Sequence, residues 1–173
     1  KVYGIEPSLT YNKIHKLTGI NSKVGFLDDI KEEYDLVLIS HVFEHLYNLK
    51  EVVTKLEKFT KKYLFIEVPG HINKLQSIQN AHNFYFSINT LNYFLLNSKF
   101  KLIKLDYCRR NGDILALYEK TSEKGQFSFN FNNEKKKILK IYRKHLIKFF
   151  CIRILKFLKI EKVVGKFYQL IKK

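Results

Sequence analysis

The sequence has no methionine, two prolines, two cysteines and seven glycines in 173 residues. Cys108 and Cys151 form neither a CxxC pair nor a metal-spaced cluster. That excludes a disulfide framework and points to a reducing, cytoplasmic setting. No stretch offers about 18 uninterrupted apolar residues, so no transmembrane helix is expected. The opening KVYGIEPS shows no signal peptide. With no Met anywhere and an apolar strand beginning one residue after Lys1, the chain reads as a fragment of a longer domain.

What is present is enough for a real core. Hydrophobic residues make up 46% and aromatics 15%, which is not a disordered composition. The net charge of +16 is unevenly placed. Residues 134–173 hold 14 Lys and Arg against 2 acidic residues, whereas residues 1–133 hold 18 against 14. The body is mildly basic and the tail strongly so. The division expected is a body over 1–120, a connector over 121–133 and a basic helical tail over 134–173.

Along the body, apolar runs alternate with helical spacing. Val2 to Ile5 is a short strand stopped by Pro7. Tyr11 to Leu17 reads as a helix closed by Gly19. Val24 to Leu27 is a short apolar piece before Asp28-Asp29. YDLVLIS, Tyr34 to Ser40, reads as a strand covered on both faces. His41 to Phe59 has helical spacing, with Val42, Leu46, Leu49, Val53, Leu56 and Phe59 on one side. YLFIEV, Tyr63 to Val68, is the next buried strand, and the polar stretch His71 to Asn83 reads as a loop. Ser87 to Asn97 is a helix capped by Ser87. Phe100 to Tyr107 and Asp113 to Tyr118 are strands joined through Asn111-Gly112, a turn signal. This order predicts a three-layer α/β domain with a mostly parallel sheet and one antiparallel strand from the closing hairpin.

Glu6 stands at the carboxyl end of the first strand, where an acid can accept hydrogen bonds from both hydroxyls of a ribose. On its own it reads more readily as a solvated carboxylate before a turn. The most specific stretch is YDLVLISHVFEHLYNLKEVV. It resembles the fourth strand and following helix of class I S-adenosylmethionine-dependent methyltransferases, in the subgroup that modifies small molecules and sugars. YLFIEVPG is similar to that family's fifth strand, and NAHNFYFSINTLNYFLLNSKFKLI to its His-aromatic segment, helix and sixth strand. The resemblance covers about Val2 to Lys120.

The resemblance implies a Rossmann-like fold, S-adenosylmethionine as cofactor and a small-molecule acceptor such as a sugar. It implies that Glu6 holds the ribose, that Leu27 packs on adenine with Asp28 near its amino group, and that Ser40 and His41 line the cleft. In sugar-modifying relatives a His in the position of His82 acts as a base, often preceded by Glu; here Ala81 precedes it. His82 reads equally as a structural histidine in a loop. The family's first strand and Gly-rich loop, which lie upstream of the acidic residue, have no counterpart here. Lacking them, the chain is expected to bind the cofactor poorly and to be inactive alone. Its strands around Val2 to Ile5 and Tyr34 to Ile39 are expected to show open apolar edges.

Two other readings compete. His41-Val-Phe-Glu-His45 fits the HxxEH pattern of inverted zinc peptidases, with Glu119 the imaginable third ligand, although it falls in a strand. The methyltransferase reading assigns no metal. The tail mixes Ile, Leu and Phe with Lys140, Lys144 and Lys148 at helical spacing. That predicts a basic amphipathic helix, broken near Gly165, lying on an anionic membrane, on its own domain or on a homodimer partner. No reader motif for specific nucleic-acid binding accompanies the charge.

Overall fold

The computed structural model of the chain describes residues 1–70, 81–108 and 112–157. They belong to two compact units: Lys1–Gly70 with Asn83–Ser128, and His71–His82 with Phe129–Lys173.

The first unit opens with strand β1 (Gly4–Glu6), helix α1 (Leu9–Leu17) and strand β2 (Ser22–Val24). Helix α1 begins at Leu9, two residues before the Tyr11 expected, because Ser8 caps it: its hydroxyl accepts from the Tyr11 amide. It ends at Leu17 with Thr18 as its C-cap, and Gly19 takes a φ of +79°, which glycine adopts freely. Strands β1 and β2 run parallel as a two-stranded sheet. Buried Asn12 ties α1 to β2 by donating to Ser22 Oγ at 3.0 Å.

A 3₁₀ turn at Leu27–Asp29 leads to β3 (Tyr34–Ser40), a second 3₁₀ turn at Phe43–His45, α2 (Leu49–Phe59) and β4 (Thr60–Val68). Then come α3 (Ile88–Leu96) and the antiparallel pair β5 (Phe100–Tyr107) and β6 (Ile114–Lys120). The four longer strands form one sheet in the order β3-β4-β6-β5. β3 is parallel to β4, and β6 is antiparallel to both β4 and β5. The expectation of a single antiparallel strand holds, and β6 inserts between β4 and β5.

The expected three layers are not what the described residues of this unit show. Register puts Val37, Leu64, Tyr118 and Leu102 on one face of the sheet, with Ile39, Ile66, Ala116 and Leu105 beside them. That face carries the core, together with Leu49, Val53, Leu56 and Phe59 of α2 and Leu91 and Leu95 of α3. The opposite face is open: Leu36 is 54% and Leu38 63% exposed. β3 is therefore covered on one face rather than both, and the apolar run misled because α1 packs on the small sheet instead.

The expected helix over His41–Phe59 is also corrected. His41 and Asn48 both take left-handed φ, +52° and +48°, which interrupts any helix before Leu49. Val42, assigned to the buried side, is exposed.

In the second unit, α4 (Phe131–Phe157) is a single helix of 27 residues starting three residues before the expected tail. At 100° per residue its first half is two-sided, with Ile138, Ile141 and Tyr142 opposite Lys136, Lys140, Arg143 and Lys144. From Leu146 onward apolar residues point all round, so the amphipathic pattern expected for the whole tail is confined to the first half. Gly165 lies outside the described residues, as does most of the expected loop from His71. Among the described residues no helix is long and apolar enough to cross a membrane.

Tyr118 is fully buried, and its hydroxyl donates to Asn92 Oδ1 at 2.8 Å. Burial pushes its pKa far up, so it stays a neutral donor. Tyr118→Phe strands the buried Asn92 oxygen and is expected to cost about 1–3 kcal/mol. Urea unfolding checks this; a change under about 0.5 kcal/mol would show that Asn92 finds another donor.

Candidate functional site

The two parallel pairs end in loops that carry the polar residues of the first unit. At the end of β1, Glu6 Oε1 accepts from the Ser8 amide at 2.8 Å, which pins the carboxylate at the strand tip. At the neighbouring end of β2, Leu27 and Asp28 sit in the 3₁₀ turn, with Leu27 packed on the core. Asp28 Oδ1 meets Lys55 Nζ of α2 at 2.6 Å. The hydrogen bonds to Asp28 and then Glu51 raise the pKa of Lys55. This ion pair is solvent-exposed and readily exchanged for another partner.

A second group gathers on the open face, where β3 and β4 end and β6 begins. Ser40 pairs in register with Glu67, and Ser40 Oγ donates to Glu67 Oε2 at 2.6 Å. The His41 amide donates to the Glu67 carbonyl at 2.9 Å. The left-handed turn at His41 then swings its imidazole across the strand ends. Nε2 lies 3.5 Å from Asp113 Oδ2 and 3.9 Å from Glu67 Oε1, and Nδ1 lies 3.5 Å from Glu44 Oε1.

Glu44 is fully buried, and neither carboxylate oxygen has a hydrogen-bond partner among the described residues. Its turn is clamped from outside. The Asn83 and Phe84 amides donate to the Glu44 carbonyl, Asn83 Nδ2 donates to the His45 carbonyl, and Phe86 stacks on Phe43. Asp113 is positioned by a close backbone approach: a Cβ on Gly70 would overlap the Gly112 carbonyl oxygen.

Ser40 and His41, named from sequence, thus come together, and Glu6, Leu27 and Asp28 share the other pair of strand ends. His82 belongs to the second unit. Glu67 and Asp113 were missed, although each carries a signal. Glu67 is the lone charge inside YLFIEV, and Asp113 follows the Asn-Gly turn signal in the sequence. The peptidase reading needs His41 and His45 one turn apart on a helix, but residues 43–45 form a single 3₁₀ turn and His41 lies outside it.

Comparison with known proteins decides the fold. No family model matches the sequence, and no curated protein does. Solved structures do. One is the complex between the Haloferax volcanii Trm112 methyltransferase activator and a methyltransferase (TM-score 0.61, 11% identity, covering 72% of this chain and 73% of that one). Another is an S-adenosylmethionine-dependent methyltransferase from Mesorhizobium loti (0.55, 12%, 69% and 80%). A third is magnesium protoporphyrin IX methyltransferase from Synechocystis with bound S-adenosylhomocysteine (0.51, 14%, 69% and 64%). The chain has the fold of the S-adenosylmethionine-dependent methyltransferases. In this methyltransferase fold the inserted antiparallel strand is β6, and the site residues lie at the carboxyl ends of its parallel strands.

Burial raises the pKa of Asp113, opposed by His41 and reinforced by Glu67. For an acid this means that ionisation works against the fold. The contribution is fully present below the ordinary carboxyl value and is lost as pH rises through the raised one. In metal-free buffer Asp113→Asn is therefore expected to raise the thermal midpoint at pH 7 and to flatten its fall with rising pH. A midpoint below that of the parent at pH 7 would contradict this.

Proposed function

We propose that the chain is the adenosine-binding portion of a methyltransferase that transfers a methyl group from S-adenosylmethionine to a small molecule, a sugar or sugar nucleotide. The observation that carries this is Glu6, a carboxylate fixed at a parallel strand end of a methyltransferase fold, where ribose hydroxyls can be read. Leu27 would pack on adenine, Asp28 would exchange Lys55 for the adenine amino group, and Ser40 and His41 would line the cleft. When bound, the cofactor supplies an electrophilic methyl group on a sulfonium. The chain's residues orient the two reactants, and His82 would take the proton of an acceptor hydroxyl. The sugar class and the role of His82 come from the family resemblance alone.

The seven glycines form no Gly-x-Gly, the pattern that would let the backbone approach the methionine end closely. The division of the strands into two sheets fits a strand lacking between β1 and β3. The 173-residue polypeptide is therefore expected to bind weakly, through adenosine. Saturation-transfer NMR with S-adenosylhomocysteine should light up adenine and ribose protons and leave the homocysteine chain dark. Glu6→Gln should weaken that binding roughly ten- to a hundredfold, the worth of a charged acceptor. Absent adenosine signals, or equal binding by Glu6→Gln, would sink the reading.

A second reading concerns the second unit. Exposed Ile147, Phe149, Phe150, Ile154 and Phe157 follow the basic half of α4, whose Lys136, Lys140, Arg143 and Lys144 share a groove with Leu139 and Ile147. Cations followed by an apolar segment suit an anionic membrane surface, with each nearby cation adding about 1 kcal/mol. Co-sedimentation with phosphatidylserine vesicles is expected for the full chain and not after removal of residues 134–173. Equal partitioning of both would leave the tail to protein contacts, including a homodimer.

A further inference from the structure

His41, Glu67 and Asp113 each present a donor atom, and the three atoms all lie within 4.8 Å of one another. We propose that they bind a divalent first-row transition cation, through imidazole Nε2 and two carboxylates, with Glu44 orienting the imidazole from behind.

Three observations converge. Metal–donor bonds of about 2.0–2.2 Å put donors roughly 3–4.4 Å apart, and the His41 separations of 3.5 and 3.9 Å already match. Glu44 is the second. A fully buried carboxylate without hydrogen bonds is costly unless a neighbour compensates it, and its Oε1 faces His41 Nδ1. A carboxylate behind a histidine whose other nitrogen faces further ligands is the arrangement that fixes the tautomer of a metal-binding imidazole. The third is charge. His41 faces three carboxylates, one of which, Glu44, also meets His45 Nε2 at 3.9 Å, and among the described residues neither Glu44 nor Glu67 pairs with Lys or Arg. A divalent cation would complement this excess of carboxylates.

Mixed nitrogen and oxygen donors suit manganese, iron or zinc better than magnesium. His41 is 47% exposed and Glu67 25%, so the ion has a way in from the open face. With three protein ligands, coordination positions remain for solvent or for a hydroxyl oxygen of an acceptor. That last use rests on the methyl-transfer reading; binding of the ion does not.

Mn²⁺ is a suitable probe, because the free aquo ion is counted by electron paramagnetic resonance. The full chain, without cofactor, is expected to take up one Mn²⁺. Asp113→Asn and Glu67→Gln, shown to be folded by circular dichroism, should each bind it at least tenfold more weakly. Glu44→Gln should weaken it about ten- to a hundredfold through the histidine. Should a variant not fold, the parent protein decides alone. Substoichiometric Mn²⁺ must broaden the His41 ring and the Ser40 and Glu67 amides first in NMR spectra. No uptake at millimolar Mn²⁺, unchanged affinity in folded Asp113→Asn and Glu67→Gln, or broadening centred elsewhere would each overturn the site. Because S-adenosylhomocysteine is absent, failure here and failure of the adenosine reading are separate results.

Discussion

Strand β4 is hydrogen-bonded on both edges, by parallel β3 and antiparallel β6, and its register sets the rest. Alternation sends Leu64, Ile66 and Val68 into the core, where each is fully buried, and so obliges Glu67 to point to the open face. A slip of one residue would bury Glu67 and expose three apolar side chains, and the core beneath α2 and α3 makes that slip prohibitive. The same register pairs Ser40 with Glu67 and brings Asp113 onto the same face, one step before β6 begins. The polar group at the strand ends is thus a consequence of how the core is packed.

The core and the polar group make opposite demands. On the core face the buried Tyr118 hydroxyl and Asn92 satisfy each other. The other end concentrates acid groups around His41: burial of Asp113 there opposes its ionisation, and the buried Glu44 carboxylate makes no hydrogen bond among the described residues. A fold selected only for stability would neutralise that corner. The clamp from Asn83, Phe84 and Phe86, and the approach of Gly70 to Gly112, instead hold it in shape.

Elements with strong periodicity were legible in the sequence. β4 from Tyr63 onward, α3 with its Ser87 cap, and the paired strands β5 and β6 stand where alternation and capping put them. What misled was what depends on neighbours. YDLVLIS looks buried on both faces because branched apolar residues say nothing of whether a second layer arrives to cover them. The run from His41 to Phe59 keeps helical spacing across two left-handed residues, and no pattern of hydrophobicity encodes a φ. Of the polar group at the strand ends, the family resemblance names Ser40 and His41, for lining a cofactor cleft. Glu67 and Asp113 were not legible, because they sit far apart in sequence and meet only through strand order.

The backbone at His41 adds a tension of its own. A left-handed conformation costs an L-residue about 1–2 kcal/mol, and glycine would escape most of that. Yet glycine would delete the imidazole that faces all three carboxylates. Sturdiness and chemistry thus select different residues at one codon. A chain with no use for that imidazole would have an easy route to relaxation through glycine at position 41.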